Sequence, residues 1–444
     1  MPLRQRTGPE QIYSRRPWQN VGPLPLAVNV DCSAKKFKNV HPDSRQPVPS
    51  IEPIEWLAGA TKMIKWNEIN WPTFLFFIFS PIGAIAGVVY VALNVGFHPA
   101  TIALTVFMIF ATGIGITGGY HRLFSHKSYE ASKLVRWLYV FFGSAALEMS
   151  VIEWAYDHRN HHRYVDNDKD PYSINKGFWF AHILWLFRKR GTGNREEVDL
   201  NLVQDLWKDP VLRFQHRFYI PIALLTSFLF PAAIAALWGD FTGGLLIAGL
   251  ARTVWVHQAT FCINSVCHYL GTQPYSDRHT ARDSWFTALV TYGEGYHNYH
   301  HEFPVDYRNG IRKYQYDPTK WLIFALSKVG LVWNLKRIPD EKILAAKMEM
   351  QEKRLAALSE KKAQTGGFAE GIAALRESGE KTLIRIQERF DELATNMKEM
   401  RREKKSRTEM KDLRKQLIRT YRLHEQKAVE LMREISSQRM PAAA

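Results

Sequence analysis

Histidine is the residue type this chain concentrates. His297, His300 and His301 stand at i, i+3 and i+4, His158, His161 and His162 repeat that spacing, and His121 and His126 lie five apart. Residues at i, i+3 and i+4 share one face of a helix, so three imidazoles so spaced can converge on a single point. Neutral imidazole is the commonest metal ligand and suits iron, zinc, copper and nickel, so the ligand type alone does not name the metal. A single His-x-x-His-His can also be a helix face whose rings cap or hydrogen-bond. Here two copies and a His-x-x-x-x-His, each beside a long apolar segment, gather eight of the 16 histidines. That pattern points to a shared metal site, and eight ligands are too many for one ion. Two metals are expected.

The elements that must position these rings are membrane helices. Residues 71–93 carry no charged side chain and are long enough to cross a hydrocarbon core of ~30 Å at 1.5 Å per residue. A second uncharged stretch, 100–120, follows after a short link, and 218–237 with 242–262 form a second hairpin. The reading is an all-α integral membrane protein with four transmembrane helices in two hairpins, beside which the histidines form a dimetal site. Neither hairpin tip contains Lys or Arg, whereas the flanking segments are basic. The positive-inside rule then places both termini, the central loop and every histidine cluster on the cytoplasmic side. The formal charge of +16 fits anionic lipid better than nucleic acid in such a protein. The three cysteines, Cys32, Cys262 and Cys267, are too few for a disulfide framework or a four-cysteine metal site, so the metal chemistry is histidine chemistry.

Outside this central domain, 51–338, two segments differ. Residues 1–50 are rich in Pro, Arg and Lys and read as a disordered basic arm, with no apolar run near Met1 to serve as a signal peptide. Residues 339–444 read as a charged helical extension. In it Leu383, Ile386, Phe390, Leu393, Met397 and Met400 alternate spacings of three and four, a short heptad seam. The seam is expected either on a solvated tail or in a coiled coil that self-associates or docks a partner. Gly366 and Gly367 interrupt the extension, and 401–405 is a basic run.

Two other signals carry little. Gly113, Gly115 and Gly118 spell a dinucleotide fingerprint, but inside an apolar span with no preceding strand; small residues that let helices approach closely explain them better. Glu294 and His297 form a lone Glu-x-x-His, short of the two that carboxylate-bridged di-iron bundles need. His41, His98, His182, His216, His257, His279 and His424 are scattered and expected to be structural or solvated.

A further pair sits at the end of the fourth span, where Asn264 and His268 lie four apart on one helix face. His268 would be a ninth histidine, with Asn264 able to hold a metal-bound water. Taken together, His121 to His126, Asp157 to His162, Asn264 to His268 and Gly293 to His301 resemble the histidine boxes of membrane fatty-acyl desaturases of the stearoyl-CoA type, over residues 71–316. The resemblance implies a four-span, all-α membrane fold with a cytosolic helical cap that holds a di-iron centre ligated by His121, His126, His158, His161, His162, His268, His297, His300 and His301, with Asn264 as a water-mediated contact. It also implies a reaction in which dioxygen and two electrons introduce a cis double bond into a long acyl chain, typically at carbons 9 and 10. No nucleophile is expected. An unactivated methylene has no acidic proton, so such chemistry needs an oxidising metal centre rather than a general base.

Imidazole-only ligation calls for acids that orient the rings, and Glu153, Asp157 and Glu294 are the candidates. For the substrate head group, Asp157, Arg188 and Lys189 are expected. CoA-using members tend to carry Gln-Asn where Glu148 and Met149 stand and an Arg where Tyr156 stands, so acyl-lipid and other acyl-carrier substrates stay open beside acyl-CoA. Ile109 and Gly113 would close the acyl tunnel. No haem or flavin motif is visible, so electrons would come from a ferredoxin or a cytochrome b5-type protein with its reductase. The membrane would be a bacterial inner membrane or endoplasmic reticulum. Two alternatives remain: a related di-iron hydroxylase, and a non-catalytic membrane anchor with a degenerate site.

Overall fold

The computed structural model describes residues 65–365, 369–403 and 406–437. The expected basic arm and the Gly366–Gly367 interruption lie outside the described residues, as does part of the 401–405 run.

Among the described residues, four helices are long and apolar enough to cross a membrane: Trp71–Val95, Pro99–Ser125, Tyr219–Ala236 and Phe241–Tyr269. Proline in the first turn starts the first two where the missing N–H costs nothing, and the Asn70 and His98 side chains accept from Thr73 N and Ala100 N. The tips of the two hairpins are joined. Thr101 donates to Asp240, which caps the fourth helix, and Trp238 Nε1 donates to Thr101 Oγ1 at 2.9 Å. The second and fourth helices run past the apolar segment, to Ser125 and Tyr269, and so carry His121 and His268 out of it.

The cap is assembled on these extensions. Helix Lys133–Ser144 packs on the second span, where a Cβ on Gly115 would fall 2.6 Å from the Gly143 backbone nitrogen. Of the fingerprint-like glycines, Gly115 and Gly118 therefore serve close packing of this helix, the latter against Tyr139. Helix Val151–Tyr164 opens on a capping box of Ser150 and Glu153, the reciprocal pair that satisfies two orphan N–H groups. Arg252, buried in the fourth span, donates to Ala145 O at 2.6 Å and Ser227 O at 2.7 Å, tying the third span to the loop before that helix. Two short strands, β1 (Glu130–Ala131) and β2 (Val332–Trp333), pair antiparallel and return the chain to the second span.

The extension forms helices Asp340–Thr365, Ala369–Arg402 and Arg407–Ser437. The seam residues Leu383, Ile386, Phe390, Leu393 and Met397 are buried. Phe390, Leu393 and Met397 pack with Met348, Leu417 and Tyr421, and Leu383 with Leu355, Leu431 and Ile435. Each such burial contributes about 1.5–3 kcal/mol. The chain thus fills its own seam with its first and third tail helices. Lys353 reaches Asp277 at 2.8 Å, and Arg354 donates to Gln273 O at 2.7 Å, joining this bundle to the cap.

Candidate metal centre

Nine imidazoles converge in the cap, in two groups: His121, His126, His158, His162 and His300, and His161, His268, His297 and His301. In each group the nearest ring nitrogens all lie within 4.8 Å of one another. The two His-x-x-His-His motifs do not each aim at one point, as their spacing alone allows. His158 and His162, one turn apart, join the first group and His161 the second, whereas His297 and His301 join the second and His300 the first. Each helix therefore faces both groups with adjacent edges.

His121 and His126 would diverge on a regular α-helix. The end of the second span, Gly115–Ser125, is instead a π-helix, and His126 N donates to His121 O, five residues back, at 3.1 Å. This wider turn, a feature frequent at functional sites, leaves the two ring centroids 4.8 Å apart.

The donor set fits metal ions. In the first group Nε2 of His121 lies 3.0 Å from that of His300, His126 lies 2.8 Å from His158, and His300 lies 3.0 Å from His162. In the second, His161 to His301 is 3.2 Å, and His297 lies 3.1 Å from both His268 and His301. Two nitrogens bound to one ion at ~2.1 Å and at right angles stand about 3.0 Å apart. Burial, and after it the neighbouring rings, lowers the pKa of His158, His162, His300 and His301, and brings His297 down to about 3. These five rings are held neutral, the state that ligates.

The groups behind the rings are only partly those expected. Glu294 Oε2 stands 3.1 Å from His121 Nδ1, and Arg122 donates to its other oxygen at 2.8 Å. Burial alone would raise this carboxyl, but His121 and Arg122 hold it at about 2. Glu153 and Asp157 do not take this role: neither hydrogen-bonds a clustered ring. Glu153 is spent in the capping box. Asp157 accepts two bonds from Arg190, at 2.9 and 2.8 Å. The sequence reading missed Asp170, which accepts from His161 Nδ1 at 2.9 Å. It also missed Thr280, which accepts from His268 Nδ1 at 2.8 Å while donating to Asp166 at 2.7 Å. Asp170 sits nine residues beyond His161, and Thr280 twelve beyond His268, offsets that no helical period singles out.

Both groups open on one cavity of about 650 Å³, within the usual range for ligand sites. Phe76, Phe77, Ile116, Leu224 and Phe261 make its wall apolar, and His121, His158, His161, His297 and Asn264 reach it. Lys189, Arg190, Arg195 and Asp157 also line it. Arg188, expected at a head group, is not in this wall; it donates to Asn194 Oδ1 at 2.9 Å. Arg190 lies over the Tyr156 ring, 6.0 Å from its centroid. A guanidinium thus stands beside the position where Tyr156 replaces an expected basic residue. Glu148 enters the wall between two residues of positive φ, Leu147 at 58° and Met149 at 77°, and burial pushes its carboxyl up to about 8. Neither Ile109 nor Gly113, expected at the end of an acyl tunnel, lines this cavity; the Tyr292 ring lies against Gly113, where a Cβ would fall 2.3 Å from it.

Fold and site together define a helical membrane protein whose cap carries nine histidines placed for two metal ions beside an apolar cavity. The family model described as Fatty acid desaturase matches residues 97–334. A Schizosaccharomyces pombe protein named probable acyl-CoA desaturase is 42% identical over 318 residues, 69% of this chain and 65% of its own. Saccharomyces cerevisiae acyl-CoA desaturase 1 is 44% identical over 296 residues, 65% of this chain and 56% of its own. The Caenorhabditis elegans delta(9)-fatty-acid desaturase fat-7 is 36% identical over 311 residues, 69% of this chain and 91% of its own. The chain belongs to the fatty acid desaturase family, and it spans less than two thirds of the length of the two yeast relatives.

Proposed function

We propose that this chain is a membrane acyl-CoA desaturase that uses dioxygen to place a cis double bond, at the delta-9 position, in a long-chain acyl thioester. The observation that carries the reading is that both histidine groups face one apolar cavity, so that an acyl chain within it would lie against both metal positions. The named activities of the yeast and nematode relatives support desaturation over hydroxylation or an inert anchor.

The nine histidines would hold two irons, with Asn264 retaining a water at the position served by four rings. Iron bound there would supply, with dioxygen and two electrons from outside the chain, the oxidising power needed to take two hydrogens from an unactivated methylene pair. The chain's own residues do the rest. Glu294, Asp170 and Thr280 fix the ring orientations through Nδ1 and leave Nε2 free to ligate. The apolar wall excludes water from the acyl chain. Lys189, Arg190 and Arg195 favour an anionic head group such as CoA, and Asp157 sets the Arg190 fork. Electrons come from an acidic carrier, a ferredoxin or a cytochrome b5-type protein with its reductase, drawn by the basic surface. Both termini and the centre face the cytoplasm, from endoplasmic reticulum or a bacterial inner membrane.

The test is fatty-acid analysis by mass spectrometry, with double-bond location, in cells expressing the wild-type chain or His161→Ala. New delta-9 monounsaturated chains that vanish in the variant are expected. Hydroxylated chains would replace this reading with the hydroxylase, and identical profiles from iron-loaded protein would leave the anchor.

A further inference from the structure

The two groups are unequal, five rings against four, and a tenth imidazole stands beside the smaller one. His279 lies on the loop between His268 and His297. Its ring centroid is 5.1 Å from that of His301, the same spacing as between His268 and His301. It is 9% exposed, and neither of its ring nitrogens has a hydrogen-bond partner among the described residues. A buried polar ring with both nitrogens unmatched costs free energy and calls for a reason. An unfilled hydrogen-bonding capacity of this kind beside a metal position is what an additional ligand would show.

The loop itself is well placed to present this ring. The next residue, Thr280, is held by Asp166 through its backbone N–H at 2.6 Å and its hydroxyl at 2.7 Å, and it accepts from His268. The His279 carbonyl accepts from Gln273 Nε2 at 2.5 Å. The backbone around His279 is thus anchored on both sides while its side chain is not. A rotation that turns one nitrogen toward the second group would break no hydrogen bond of the ring. His279 is not within the tight convergence of the other four rings, so such a rotation is required.

We infer that His279 is a reserve imidazole for the second metal position, turning in to ligate a divalent iron there and raising that position to five rings. The inference rests on the proposed dimetal reading and deepens it. It makes the second position the one whose ligand number can change, with Asn264 on the cavity wall and His279 on the loop.

The experiment uses the purified full chain loaded with ferrous iron and follows release of each ion to a coloured ferrous chelator. The wild type is expected to release two ions. In His279→Ala one of the two should leave ~10-fold faster or more, the order seen when a supporting contact of a metal site is lost, and the other at the wild-type rate. Free imidazole should slow the fast ion again. With cobalt(II) in place of iron, the visible ligand-field bands of one ion should shift and those of the other stay. Release unchanged for both ions would overturn the inference. So would equal acceleration of both ions without rescue by imidazole, which is the signature of a loosened fold; His279→Gln, which keeps bulk and polarity, repeats the comparison if the alanine variant does not fold. A wild-type chain that takes up no second ion would instead strike the dimetal reading itself.

Discussion

The two histidine groups are built from the same motifs but braced by different parts of the chain. The five-ring group draws His121 and His126 from the end of a membrane helix, and its supporting carboxylate, Glu294, belongs to a buried network. Arg122 bridges Glu294 at 2.8 Å to Asp317 at 3.0 Å, and Asn309 donates to Glu294 as well. The four-ring group is braced from short loops, by Asp170 behind His161 and by the Thr280–Asp166 pair behind His268. Both groups thus take rings from the end of a membrane helix, His121 from the second and His268 from the fourth, but the brace behind the first is tied into the buried fold whereas those behind the second stand on local loops. Metal retention and fold stability should be coupled at the first position and separable at the second.

Removing a ring is the strongest way to test this contrast. His300→Ala should empty the five-ring position and His301→Ala the four-ring position, each leaving the other ion in place, as read by metal analysis; loss of both ions from either variant would merge the two groups into one. Next come the carboxylates. Glu294→Gln should cost metal and also destabilise the fold by about 3–5 kcal/mol, because it leaves the Arg122 charge buried with less compensation. Asp170→Asn should lower metal affinity ~10–100-fold while shifting the melting curve far less. Equal melting shifts from these two variants would break the contrast. Thr280→Val should have a smaller effect in the same direction as Asp170→Asn.

Acid should sharpen the same comparison. His297 has its pKa lowered to about 3 by burial and neighbouring rings, against ~6.5 for an unfolded histidine. The unfolded chain then binds more protons in that window, so this ring's contribution is fully present above pH ~6.5 and is lost as pH falls toward 3. Melting of metal-free protein should show stability falling below pH ~6.5, and metal should add protection that itself fades with acid. The smallest effect is expected at the tail. Lys353→Ala removes a partly exposed contact to Asp277 and should change stability by less than about 1 kcal/mol, with metal content unaltered.

Much of this centre is written in the sequence because helices have a period. The spans follow from long apolar runs, with Arg252 the one charge inside them, and most of the rings from spacings of three and four; the spacing of five between His121 and His126 needs the π-helix. What the period cannot carry is the division of labour. A face of a helix is broad enough to meet two ions, so only the partner helix decides that His161 and His162 part company. Asp170 and Thr280 act across loops, whose reach has no repeat. Glu153 and Asp157 carry the right chemistry on the right helix, yet Ser150 and Arg190 claim them first. The seam from Leu383 to Met397 marks an apolar stripe, but the stripe does not say whether its partner is another chain or, as found, the helices on either side of it in this one.

Whether the nine histidines make two separate metal positions is decided by the iron content of the purified, folded full chain, measured by mass spectrometry of the metal against protein concentration. Two irons per chain are expected, falling to one in His301→Ala. A saturating content of one iron in the wild type, or none in protein supplied with ferrous iron, would contradict it.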